Sequence, residues 1–243
     1  MDTSVIAQRT DEFCFSNAAM FKLPPKGILI RFRGMTLDIP MVELIREGRK
    51  YAKAGILYVY PYTAPWAWMN DDTVDMVDAI LDDLRGKTGL TQRVPVVYYG
   101  YSMGGYSALM YGVYGKYKPT AVAAVCPVCD LVFHKTEHLG LFVSFYYAFS
   151  RISDQVDELI TVRSPIHAIA HMPLVPYLFV CCDHDRIVHS ENHGIAMAGK
   201  MRASGFDVTL IRENGEHCQI SRETEDTVSV FILSAMEEKP HEQ

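Results

Sequence analysis

Ser102 stands between glycines in Gly100-Tyr101-Ser102-Met103-Gly104, the setting in which a serine hydroxyl can be presented as a nucleophile. A free hydroxyl attacks poorly at neutral pH, so it needs a base, and the base needs an orienting carboxylate. Both types follow downstream. Asp183 and Asp185 lie in Asp183-His184-Asp185-Arg186-Ile187-Val188, and His217 closes Gly215-Glu216-His217. Serine, carboxylate and histidine in this order point to acyl transfer, which calls for no cofactor.

The elements that must position these side chains follow from the surrounding pattern. Val94 to Tyr99 is apolar, β-branched and aromatic, the composition of a buried strand, and Gly105 to Tyr117 has helical character. Strand, tight turn and helix with serine at the apex make a nucleophile elbow. So sharp a turn strains the serine backbone and leaves no room for a side chain at Gly100 or Gly104. Tyr177 to Cys182 is a second apolar run that ends at the two aspartates. Phe206 to Ile211 alternates like a strand and ends ahead of His217.

With these motifs the chain resembles the α/β-hydrolase superfamily, in particular esterases and prolyl-oligopeptidase-like serine hydrolases. The match runs over roughly residues 25 to 235 and includes Ser164-Pro165-Ile166-His167 ahead of a strand. The resemblance implies Ser102 as nucleophile, His217 as base and Asp185 as acid, because the family sets the acid three residues before a valine, here Val188. It also implies an oxyanion hole built from the backbone N–H of Met103 and a second N–H after an early strand. That strand is Gly27 to Phe32, and Arg33-Gly34-Met35 follows it, which gives Met35 as the second donor. The family often has His where Arg33 stands, Gly where Cys182 stands and Pro where His189 stands. The last two positions lie outside the chemistry.

The remaining pattern alternates. A strand is expected around Glu12 to Phe21, a helix over Met41 to Ala54, a strand over Gly55 to Tyr60 and another over Thr120 to Val125. Asn70 caps a helix whose Asp71 and Asp72 suit the positive end of its dipole, with Val74, Val77, Ile80, Leu81 and Leu84 on one apolar face. Such alternation predicts an α/β fold: a mainly parallel sheet, helices on both faces and a site at the strands' carboxyl ends. Residues 1–243 are expected to form a single domain, with a helical cap inserted at about 130–172, where Leu139 to Phe149 is rich in aromatics. The ordinary alternative is a helical pair packed on the sheet.

Two further features bear on substrate. Trp66 and Trp68 follow a strand in Tyr60-Pro61-Tyr62-Thr63-Ala64-Pro65-Trp66-Ala67-Trp68 and could hold a flat or sugar-like group, or simply pack the loop. Arg33, beside the oxyanion loop, could attract a substrate carboxylate, or pair with an acidic side chain.

Composition sets the outer bounds. Over 243 residues, 49% hydrophobic content supplies a large core, and a net charge of -6 argues against nucleic-acid binding, which needs a basic patch. No apolar run approaches a membrane span and no signal peptide is visible, so a cytoplasmic, membrane-free protein is expected. Homo-oligomerisation stays open. Among the six cysteines, Cys126 and Cys129 have redox or metal spacing, but no second pair answers them. Reduced thiols in and near the core are expected, with Cys218 incidental beside His217. His184, His189 and His193 cluster near the acid loop without partner ligands, so no metal is expected.

The activity these features favour is hydrolysis of a small carboxylic ester or acyl substrate. A serine peptidase acting on short peptides is the nearest competitor, although a chain of this length leaves no room for the propeller that full-length oligopeptidases carry. Thioester hydrolysis or acyl transfer would use the same machinery. A non-catalytic ligand-binding protein would be expected to show a broken triad or elbow.

Overall fold

The computed structural model describes residues 3–35 and 39–237. The chain opens with helices α1 (Thr3–Gln8) and α2 (Thr10–Phe13), then strand β1 (Cys14–Ser16) and strand β2 (Gly27–Phe32). Next come α3 (Met41–Lys53), β3 (Ile56–Pro61), α4 (Asp71–Lys87), β4 (Val96–Tyr101), α5 (Met103–Tyr114) and β5 (Ala121–Val125). Three short helices, α6 (Leu131–Glu137), α7 (Leu141–Phe149) and α8 (Val156–Val162), separate β5 from β6 (Tyr177–Cys182). The chain finishes with α9 (Gly194–Ala203), β7 (Val208–Glu213) and α10 (Arg222–Ala235).

The strands form one sheet in the order β1-β3-β2-β4-β5-β6-β7, in which only β1 runs antiparallel to its neighbour. Period-two alternation sends Ile28, Ile30 and Phe32 to one face, where the buried residues of α4, α5 and α9 cover them. Leu29, Tyr58, Val97 and Leu178 point to the other face, under Leu44 and Tyr51 of α3 and Val228 and Ile232 of α10. Both faces are therefore covered, as a parallel sheet requires.

Asn70 caps α4 as its sequence suggests, its side chain accepting from Thr73 N–H at 3.0 Å, and the five apolar positions of that helix are all buried. The expected opening strand from Glu12 to Phe21 shrinks to three residues. Its continuation is diverted by Asn17, whose side chain donates to the carbonyls of Gly48 and Ile56 and accepts from Tyr58 N–H. A side chain has there replaced the backbone ladder. The elbow helix also stops at Tyr114 rather than Tyr117. Lys116 N–H turns instead to the Asp78 carboxylate, at 3.1 Å.

The β5–β6 segment is fastened at both ends. Ser164 Oγ accepts from Leu131 N–H and donates to Ile160 C=O, each at 2.8 Å, and Ile166 N–H reaches Cys129 C=O at 2.9 Å. Its outward side leaves Leu139, Phe142, Val143, Tyr146 and Tyr147 exposed.

Candidate active site

Ser102 sits between the last residue of β4 and the first of α5, with φ 55° and ψ -122°. That conformation is unfavourable for any residue with a Cβ, and two backbone hydrogen bonds hold it in place. Ser102 N–H donates to Val125 C=O at 2.8 Å, and Ser102 C=O receives Tyr106 N–H at 3.1 Å. The flanking glycines are required by contact. A Cβ on Gly100 would lie 2.3 Å from the Gly104 backbone, and one on Gly104 would lie 2.4 Å from Phe32 C=O.

Asp185 and His217 come from loops after β6 and β7, 32 positions apart in sequence, and meet at 2.6 Å between Oδ2 and Nδ1. The other carboxylate oxygen, Oδ1, accepts from Ile187 N–H at 2.9 Å and Val188 N–H at 2.8 Å. Burial pushes this carboxyl up. The His217 bond, with the Val188 and Ile187 amides, outweighs burial and holds Asp185 below the usual carboxylate range. Because Nδ1 serves the carboxylate, Nε2 is the ring nitrogen of His217 that remains. Asp183 points elsewhere, to Arg212 Nε at 2.8 Å on the surface.

Ser102, Met103 and His217 line one cavity of about 510 Å³ together with Arg33, Gly34 and Met35. Most of its wall is apolar. Phe32, Trp68, Val128, Leu141 and Val188 contribute to it, and Arg31, His134, His138 and Glu225 add polar atoms. Met103 is the first residue of α5, so its N–H has no acceptor within the helix. Arg33 Nη1 reaches Thr63 C=O at 3.4 Å. The two tryptophans separate. Trp66 is exposed and absent from the cavity wall, whereas Trp68 is fully buried. Trp68 donates its indole N–H to Ser144 Oγ at 2.9 Å and packs on Tyr106, Phe145 and His134.

The sequence did not mark His134, His138 or Leu141 as cavity residues. Only the periodicity of α6 and α7 could have suggested them, and it cannot say which face meets the serine.

Among the described residues, two groups bring three metal-ligating atoms within 4.8 Å: Cys126, His217 and Cys218, and His134, Glu137 and His193. Hydrogen bonds engage members of both groups. His217 Nδ1 is engaged by Asp185, and His193 uses both ring nitrogens, Nδ1 toward Cys129 and Asp130 N–H and Nε2 toward Glu137. Five of the six cysteines are buried and all are unbridged, and burial pushes the Cys14 and Cys181 thiols up to about 12.

The sheet order and the turn at Ser102 define an α/β-hydrolase fold, and solved structures agree. An acylaminoacyl peptidase from Pyrococcus horikoshii superposes with a TM-score of 0.69 at 12% identity, over 92% of this chain and 39% of that one. Esterase B from Lactobacillus rhamnosis gives 0.63 at 16% identity over 89% and 78%, and esterase PE8 gives 0.57 at 18% over 87% and 94%. The chain thus spans well under half the length of the acylaminoacyl peptidase. No curated protein sequence matches it. The prolyl oligopeptidase family matches residues 67–231, more than half of the chain, and the chain belongs to that family of serine hydrolases.

Proposed function

We propose that the protein hydrolyses a small carboxylic ester through an acyl-enzyme on Ser102. The observation that carries this reading is the strained Ser102 turn sharing a cavity with His217, itself bonded to Asp185 at 2.6 Å. His217 Nε2 takes the Ser102 proton as Oγ bonds to the ester carbonyl carbon. Asp185 fixes the tautomer and stabilises the imidazolium. The N–H groups of Met103 and Met35 are assigned to the tetrahedral oxyanion, a role worth roughly 3–4 kcal/mol per donor. The C–O bond to the alcohol then breaks, and the alcohol leaves with the proton held on His217. Water, deprotonated by the same histidine, releases the acid and restores Ser102.

The apolar cavity wall suits an acyl or aryl group, and the β5–β6 segment supplies part of it as a cap. Arg33 is assigned to an anionic substituent and Trp68 to the floor of the pocket. Trp66 has no contact there that would give it a part. Family membership favours a second reading, cleavage of short peptides by the same steps.

Intact-protein mass after treatment with a fluorophosphonate tests the core of the proposal. Serine displaces fluoride, so one adduct is expected on the wild type and none on Ser102→Ala. An unlabelled wild type would refute it. Asp185→Asn is expected to slow labelling by about 10³–10⁴-fold and Asp183→Asn to leave it near the wild type. Turnover of aryl esters against peptide amides then separates the two readings.

A further inference from the structure

Glu137, the last residue of α6, carries a buried carboxylate with a side-chain exposure of 3%. Four nitrogens converge on it. Oε2 faces His134 Nδ1 at 2.5 Å and His193 Nε2 at 2.8 Å, while Oε1 faces His189 Nδ1 and the His189 backbone N–H, each at 2.8 Å. His193 Nδ1 accepts from the backbone N–H groups of Cys129 and Asp130, both at 3.1 Å. Its proton therefore lies on Nε2 and points at Glu137. These groups come from α6 itself, from the acid loop and from the residue immediately before α9.

The acid loop shows what this arrangement does. Three consecutive backbone N–H groups are divided between two carboxylates: Ile187 and Val188 serve Asp185, and His189 serves Glu137. His138, next to Glu137, adds a contact of 2.8 Å between its Nε2 and Ile187 C=O. A buried carboxylate with this many donors cannot turn away without stranding charge and several N–H groups. The loop is consequently held in register at both ends of that N–H run.

We infer that Glu137 is a positioning residue for Asp185, fixing the acid loop through the His189 backbone N–H. The inference rests on the reading of Asp185 as the acid of the hydrolase. His189, which the sequence sets outside the chemistry, thereby acquires a place behind it, and the histidine cluster becomes a hydrogen-bond hub.

The test follows fluorophosphonate labelling of Ser102 against pH for the wild type, Glu137→Gln and His189→Pro, with Tm measured alongside. Glu137→Gln is expected to slow labelling by about 10–100-fold. It should also move the pH midpoint down, because a loosened Asp185 stabilises the His217 imidazolium less. His189→Pro deletes the backbone N–H and the ring yet keeps Glu137 with its two buried histidines, and is expected to act in the same direction. It decides the matter should Glu137→Gln fail to fold. Folded variants with a lowered Tm but unchanged rate and midpoint would overturn the positioning role alone. A wild type that takes no adduct would refute the hydrolase reading, and this role with it.

Discussion

At Ser102 the chain holds a side chain where glycine would be more comfortable, at φ 55° and ψ -122°. Such strain costs about 1–3 kcal/mol, part of which glycine would forfeit through its freer unfolded state. Ser102→Gly is therefore expected to abolish labelling and yet stabilise the fold by about 1 kcal/mol, or about 2–4 °C in Tm, read by thermal melts beside Ser102→Ala. A lower Tm than Ser102→Ala would contradict this. Serine, aspartates and histidine could be singled out in the sequence because each follows a recognisable strand. Glu137 could not. Its partners His189 and His193 lie 52 and 56 positions away, and nothing local distinguishes it from a solvated helix-end glutamate.

At the level of elements, close approach rather than propensity fixes the elbow. A Cβ on Gly104 would press on backbone, the Phe32 carbonyl at 2.4 Å, which cannot move aside as a side-chain tip would. Gly104→Ala is expected to cost more than about 3 kcal/mol, above the range of ordinary point mutants. Gly199, inside α9 with nothing within 4 Å of its Cβ position, should gain about 0.5–1 kcal/mol on replacement by alanine. Urea titration of the two variants gives the comparison, and equal midpoints would defeat it. Strands β2 to β6 were legible because their apolar runs are buried on both faces, and β7 because it alternates; β2 and β6 match their expected spans, and β3, β4, β5 and β7 shift by a residue or two at their ends. The opening strand misled because Asn17 satisfies backbone groups of two other segments, a tertiary role that no local pattern announces.

Across the whole molecule, buried titratable groups set the response to acid. Burial lowers His134, so the folded protein refuses a proton that the unfolded chain accepts near pH 6.5. Stability is therefore lost as pH falls through that value. Burial raises Glu137 and Asp185, but their donors reverse this and hold both below the usual range. Their stabilisation is complete above the unfolded values near pH 4 and disappears as pH falls through the lower folded ones. Tm is expected to decline from pH 7 to pH 5 and more steeply below about pH 4. A flat profile across the first interval would rule out the His134 contribution. The fold class was legible from alternation alone, whereas the packing that gathers α6, the acid loop and α9 around one carboxylate depends on the arrangement of the entire chain.

The burial of Trp68 against His134, with ring centroids 6.0 Å apart, makes the molecule its own optical instrument. Only two tryptophans are present, and Trp66 is exposed. In Trp66→Phe all indole emission would arise from Trp68, in an apolar setting that shifts it to the blue. Should the β5–β6 segment lift from the body, Ser144 and Phe145 would leave the indole, water would reach it, and the emission would move to the red. Any such motion could thus be followed in real time without attaching a dye.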